Sequence, residues 1–369
     1  MKKINFIDLN RQYQTLKTQI DKAIFDTVEA SNFIQGPEVK KLEAILTDYT
    51  STKALTVANG TDALFISLRA LGVGPGDEVI TPSFTWVSTV ETIKLTGAKP
   101  VYCDISEETF NIDESLLENL INKNTKVIMP VSLFGRCADL NKINQIAKEN
   151  NLITLEDAAQ SFGAKSSDQM SCSVADISTT SFFPAKPLGC YGDGGAIFTN
   201  NQSLYEEVSM ISKHGQKGRY NYERIGVNSR LDTIQAAILI EKLKIFEEEI
   251  KLRNNVAKQY NQIFRNSNLL KCPNIPDGNN RSVWAQYTLI MDSSIAKRRE
   301  VIMGNMKEKD IPTALYYPAA LHLQKPYYED IELIVTEDIA NRVISLPMHP
   351  YLEEEEITYI AESFLEALE

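Results

Sequence analysis

Lys186 stands where a reactive amine would be expected. It lies in Ser181-Phe-Phe-Pro-Ala-Lys186-Pro-Leu-Gly-Cys-Tyr-Gly-Asp-Gly-Gly-Ala196, an apolar and aromatic stretch followed by Gly189, Gly192, Gly194 and Gly195. Surface lysines usually sit among polar residues and keep their ammonium in water. Partial burial lowers an amine's pKa and supplies the unprotonated nucleophile that Schiff-base formation needs. Closely spaced glycines let the backbone pass near a flat, bulky ligand. A lysine stem packed at a tight loop is the alternative, and this segment alone leaves both open.

Three further segments carry compatible chemistry. Ile153-Thr-Leu-Glu-Asp157-Ala-Ala-Gln160 reads as a strand ending in a carboxylate. An aspartate there can hold the protonated nitrogen of a heterocycle and preserve it as an electron sink, with Gln160 hydrogen-bonding a ring substituent. Alone, Asp157 reads first as a helix N-cap. Ala58-Asn-Gly60-Thr61-Asp-Ala-Leu64 is a turn opening a helix, whose free N–H groups and dipole suit a phosphate. Thr61 and Ser181 would add hydroxyl donors, although an ordinary cap has the same look. No Gly-Lys-Ser/Thr follows, so this is not a Walker loop. Trp86 follows an expected strand and can stack on a ring or belong to the core. Along the chain these make a phosphate cup, a stacker, a ring-nitrogen partner and a lysine.

The elements that must position them alternate between Ala54 and Phe198. Expected strands are Glu78–Ile80, Pro100–Tyr102, Val127–Val131 and Ile153–Glu156, with helices at Thr61–Leu71, Thr85–Leu95 and Leu140–Glu149. Such alternation predicts an α/β fold with a mostly parallel sheet covered on both faces, its ligands collected at the carboxyl ends of the strands. From Arg230 to Phe264 the text turns helical, with Leu231, Ile234 and Ile238 on one face. This helix is expected to lead from a large ligand-binding domain, residues 1–253, to a smaller α+β domain, residues 254–369. Ala285–Met291 and Pro312–Tyr317 are the strands expected in the second.

The chain has 369 residues and a net charge of −11. That balance argues against nucleic acid as a partner, because phosphate neutralisation needs a basic face. Cys103, Cys137, Cys172, Cys190 and Cys272 make no CxxC pair and read as reduced residues. His214, His322 and His349 offer no metal-ligand spacing, so no metal is expected. Met1–Leu9 turns charged too early for a secretory signal, and no run is apolar enough for a membrane helix. The expectation is a soluble, cytoplasmic protein.

The four segments together resemble the nucleotide-sugar aminotransferases of the aspartate-aminotransferase (fold type I) superfamily, the DegT/DnrJ family. The likeness runs from Phe6-Ile-Asp-Leu to Ser345-Leu-Pro-Met-His-Pro350, and Gly226-Val-Asn-Ser-Arg-Leu-Asp232 is a further part of it. It implies pyridoxal 5'-phosphate bound through Lys186. Asp157 would face the ring nitrogen, Gln160 the ring hydroxyl, Gly60, Thr61 and Ser181 the phosphate, and Trp86 the ring face. It also implies a homodimer in which Asn228 reaches the phosphate of the neighbouring subunit's cofactor.

Within the family the chain looks most like enzymes that aminate UDP-2-acetamido-2-deoxy-3-oxo-glucuronate with L-glutamate as donor. The fork of Arg230 suits a sugar or glutamate carboxylate. The uronate branch usually has His-Tyr-Pro where this chain has Tyr316-Tyr317-Pro318, and a tyrosine can donate to a sugar oxygen but carries no positive charge. Lys213–Arg224 is the basic island best suited to the diphosphate, as a mobile loop in which His214 and Tyr222 are the candidate contacts.

Overall fold

The computed structural model describes residues 4–369, so the first three residues of Met1–Leu9 lie outside it. The large sheet has seven strands: β1 (Ala54–Val57), β2 (Glu78–Pro82), β3 (Lys99–Cys103), β4 (Thr125–Ile128), β5 (Ile153–Asp157), β6 (Ile177–Ser181) and β7 (Gly195–Phe198). Their order is β1-β7-β6-β5-β4-β2-β3. β2 to β6 run parallel, and β7 lies antiparallel between β1 and β6. The four strands expected from the alternation are present with slightly shifted ends. β1, β6 and β7 carry no period-2 signal because both of their faces are buried.

On one face Val57, Val79, Val127, Leu155, Ile177 and Ile197 pack with Leu64, Ile66 and Leu68 of the helix Gly60–Ala70. On the other, Ala54, Ala196 and Phe198 pack with Leu239, Phe246 and Ile250 of a long helix, Thr233–Phe264. The expected helix Thr85–Leu95 begins only at Ser88 and ends at Thr96, because Gly97 takes the left-handed conformation that stops it.

Farther along, Val256, Ala257, Tyr260 and Phe264 of the long helix join a different core with Leu289, Ile344, Ile360 and Phe364. Residues 253 and 254, where the two domains were expected to meet, therefore fall inside one continuous helix. The carboxyl-terminal sheet is antiparallel: β8 (Leu270–Lys271), β9 (Tyr287–Met291) and β10 (Val343–Leu346). Pro312–Tyr317 is not one of its strands, contrary to the sequence expectation. Only Ala314 bridges the sheet, to Ser345. Pro312 and Pro318 lack the N–H that a ladder needs, and the chain between them leaves the sheet and crosses toward Trp86. Among the described residues no helix is long and apolar enough to cross a membrane, and all five cysteines are free.

Candidate active site

Topology brings the sequence candidates to one edge of the large sheet. Gly60 follows the carboxyl end of β1, Trp86 that of β2, Asp157 ends β5, and Ser181 ends β6. β7 runs the other way, so its first residue, Gly195, sits between Val57 and Ser181 at the same edge. Ligands of open α/β sheets collect at such an edge.

The helix Gly60–Ala70 opens directly on it. Asn59 caps it by accepting a 2.7 Å hydrogen bond from the Asp62 N–H. The following residues leave their first-turn N–H groups facing the edge, as helix geometry requires. Packing here tolerates no added side chain. A Cβ on Gly60 would stand 2.8 Å from the Ser181 Cβ, and one on Gly195 would meet the Asn59 carbonyl at 2.6 Å. The Thr61 hydroxyl lies 2.8 Å from that of Ser88. Gly60, Thr61, Ser88 and Ser181 thus form a cup of small residues and hydroxyls at a helix start, the donor set that suits a phosphate.

Asp157 is buried, with 5% of its surface exposed. Its Oδ2 accepts a 2.8 Å bond from the Thr89 hydroxyl, and its Oδ1 a 3.1 Å bond from the Ala159 N–H. No helix follows it, so it is not a helix cap; Oδ1 closes a turn. Burial pushes the carboxyl above its ordinary range, while those two hydrogen bonds and the charge of Lys186 pull it back. Lys186 is half-buried on the loop between β6 and β7. Burial pushes its amine below the ordinary lysine value, and the Asp157 carboxylate opposes that shift. Each group thus bears on the other electrostatically. A buried carboxylate in this setting is completed by a cationic N–H donor, which a protonated ring nitrogen supplies.

Gln160 is buried and holds two walls together. Its Oε1 accepts the Phe134 N–H at 2.8 Å, and its Nε2 donates to the Tyr317 hydroxyl at 3.0 Å. The Tyr317 ring lies 5.8 Å from Phe84 and 6.4 Å from Trp86, with Tyr316 5.9 Å away. Burial raises the Tyr317 phenol well above its ordinary value, so it stays a neutral donor. Trp86 is 57% exposed. It is therefore not a core residue, and its indole is largely exposed beyond its contact with Tyr317.

The remaining sequence candidates are not gathered here. Asn228 is exposed beside Lys213, to which it is bridged. Arg230 lines a separate cavity of about 220 Å³ with Glu43, Thr56 and Lys213. Tyr222 belongs to an exposed hairpin, Gln216–Gly218 with Asn221–Tyr222, and is 59% exposed; His214, also exposed, lies in the turn just before it. Among the described residues none of the four makes a hydrogen bond or ring contact with Lys186, Asp157 or Gln160. Two side chains at the edge escaped the sequence reading. Thr89 touches Asp157 and Ser88 touches Thr61. The run of hydroxyl residues in Thr85-Trp-Val-Ser88-Thr89, at a helix start, was the available signal.

Known proteins resemble this chain over nearly its whole length. Residues 14–365 match the DegT/DnrJ/EryC1/StrS aminotransferase family. The UDP-2-acetamido-2-deoxy-3-oxo-D-glucuronate aminotransferase of Pseudomonas aeruginosa is 50% identical over 97% of this chain and 98% of its own. A pleiotropic regulatory protein of Geobacillus stearothermophilus is 40% identical over 98% of both chains. A crystal structure of NtdA from Bacillus subtilis with bound cofactor PMP superposes with a TM-score of 0.92 at 30% identity, covering 100% of this chain and 86% of that one. With a matching model over nearly its whole length, the chain belongs to the DegT/DnrJ/EryC1/StrS aminotransferase family.

Proposed function

We propose that this protein moves the amino group of L-glutamate to the 3-keto group of UDP-2-acetamido-2-deoxy-3-oxo-glucuronate, in the cytoplasm, for a bacterial cell-surface polysaccharide. It is a pyridoxal-phosphate-dependent sugar aminotransferase. The observation that carries the substrate is the 50% identity, end to end, with the P. aeruginosa enzyme of that activity.

The residues at the sheet edge fit the cofactor. Lys186 would hold its aldehyde carbon, Asp157 its ring nitrogen, Gln160 its hydroxyl, Trp86 its ring face, and Gly60, Thr61 and Ser181 its phosphate. When bound, it supplies an electron sink that stabilises the carbanion left by deprotonation. Everything else falls to side chains. Burial pulls the Lys186 amine down, toward the unprotonated form that would take the proton from the donor's α-carbon and give it back two atoms farther on. Asp157, held by Thr89 and Ala159, would keep the ring nitrogen protonated. Tyr316 and Tyr317 wall the sugar side and offer hydroxyls to its oxygens.

Asn228, His214, Tyr222 and Arg230 are then assigned to the site of a second copy of the chain. Exposed Asn228 would reach the neighbouring phosphate. The hairpin would cover the nucleotide, and Arg230 would meet a carboxylate. Tyr316 leaves the sugar carboxylate without a cation from that side.

Incubating the holoenzyme with glutamate and a panel of UDP- and dTDP-linked keto sugars tests the reading. The 3-oxo-glucuronate is expected to turn over fastest. A faster neutral 3- or 4-keto sugar would transfer the assignment to that sugar. The regulatory relative favours one other reading, a protein that binds without turning over. Retention of both Lys186 and Asp157 speaks against it, and failure of the purified protein to take up colour with added cofactor would support it.

A further inference from the structure

A second polar cluster lies behind the aromatic wall and has no part in the chemistry above. Ser83, His322 and Glu337 form a line: the Ser83 Oγ is 2.9 Å from the His322 Nδ1, and the His322 Nε2 is 3.2 Å from the Glu337 Oε1. Ser83 and His322 are fully buried. The arrangement has the order of a hydrolytic triad, but its hydroxyl is closed to any substrate. The Ser83 Oγ also accepts the His322 backbone N–H at 2.9 Å, and the Ser83 carbonyl accepts the Leu321 N–H at 3.1 Å. Hydrogen-bond direction follows from the acceptors. A carboxylate only accepts, so Nε2 carries the hydrogen. In the neutral ring Nδ1 is then the acceptor, and the Ser83 hydroxyl donates to it. Every donor along the line has a partner, and Glu337 is anchored in turn by the Leu333 N–H at 3.0 Å.

What the line connects is more telling than what it contains. Ser83 immediately follows β2 and stands three residues before Trp86. His322 stands five residues after Tyr317, on the other wall. Phe84 and Tyr317 meet edge to face at 5.8 Å between these two anchors. A buried cross-link at this point fixes the separation of the two walls, because it joins them at their shared base.

We propose that His322 is a positioning residue. Through Ser83 and Glu337 it sets the gap between Trp86 and Tyr316–Tyr317, and so the fit of the keto sugar. The inference rests on the assignment of those aromatic residues to the walls of the site.

Two amides separate the cross-link from mere filling of space. In His322→Asn the amide oxygen sits where Nδ1 was and can still accept from Ser83, whereas His322→Gln places its nitrogen where Nε2 was and keeps only Glu337. The expected result is that kcat/KM for the keto sugar falls about tenfold in His322→Gln and His322→Ala, mostly through KM, and stays within about threefold of wild type in His322→Asn. Melting temperatures measured alongside show whether the losses follow stability instead. Visible circular dichroism of the bound cofactor, which reports the asymmetry of the ring's surroundings, supplies a readout that needs no sugar. It should match wild type in His322→Asn and shrink in the other two. Asn and Gln variants that behave alike in both measurements, or losses that track melting temperature, overturn the proposal. If wild type turns over no keto sugar, the assigned reaction fails, and the dichroism still decides the cross-link.

Discussion

Asp157 and Lys186 are each poorly placed alone and well placed together with a cationic heterocycle. Burial raises one and lowers the other, and their mutual charge reverses part of both shifts. Replacing Lys186 by alanine should abolish turnover and leave the fold intact, checked by activity and far-UV circular dichroism. Asp157→Asn keeps the shape but removes the charge that, in the proposed role, would hold the ring nitrogen protonated. A loss of about 10²–10³ in kcat is expected, the scale of deleting one preorganised electrostatic contact. Steady-state kinetics at saturating cofactor would show it. At this scale the Lys186 segment stood out most, an apolar and aromatic stretch followed by four glycines, whereas Asp157 and Gly60 each had the look of an ordinary cap and gained weight only beside it. Thr89 and Ser88 were not legible, because a threonine or serine in a helix's first turn looks the same whether it caps or holds a carboxylate.

The long helix Thr233–Phe264 does more than join two cores. Its Lys242, 1% exposed, donates a 2.6 Å bond to the Gly189 carbonyl in the loop that carries Lys186, and lies 4.3 Å from the centre of the Tyr191 ring. Burial pushes this amine down to about 8, against the raising effect of Glu249. Lys242→Met would fill the space but strand a buried carbonyl. It should cost about 1–3 kcal/mol, read as a lowered denaturation midpoint. No pattern announced this residue, for a lysine in an amphipathic helix reads as solvated. Element types were otherwise legible wherever strand and helix alternate. The sequence reading failed at Pro312–Tyr317, where the composition resembled a strand but the Tyr317 side chain is held against Gln160 and Trp86 instead. It also missed Val343–Leu346, a buried four-residue strand too short to show a period.

Across the whole molecule, the proposal that a second copy completes each site gives the exposed Asn228 a role that can be tested. Lys186→Ala and Asn228→Ala subunits, each inactive as a homodimer, should complement when mixed. A heterodimer carries one site with both residues intact, so an equal mixture recovers about a quarter of wild-type activity. No recovery on exchange would place Asn228 within its own subunit's business or outside the site altogether. Stability carries a separate signature. His349 is pushed down to about 4, first by burial and then by Arg253, from a value of 6.5. Its folded pKa is the lower one, so the unfolded chain binds the proton more readily. The resulting stabilisation is complete above pH 6.5 and is lost as pH falls through 4, about 3 kcal/mol in all. Urea midpoints measured across that window should fall more steeply for wild type than for His349→Asn.

In the proposed chemistry one lysine among many forms the covalent link to the cofactor. Borohydride reduction of the coloured holoenzyme fixes that link, and peptide mass mapping then locates it. The expected result is a single pyridoxyl-modified residue, Lys186. Modification at any other lysine, or none despite cofactor uptake, would contradict the account.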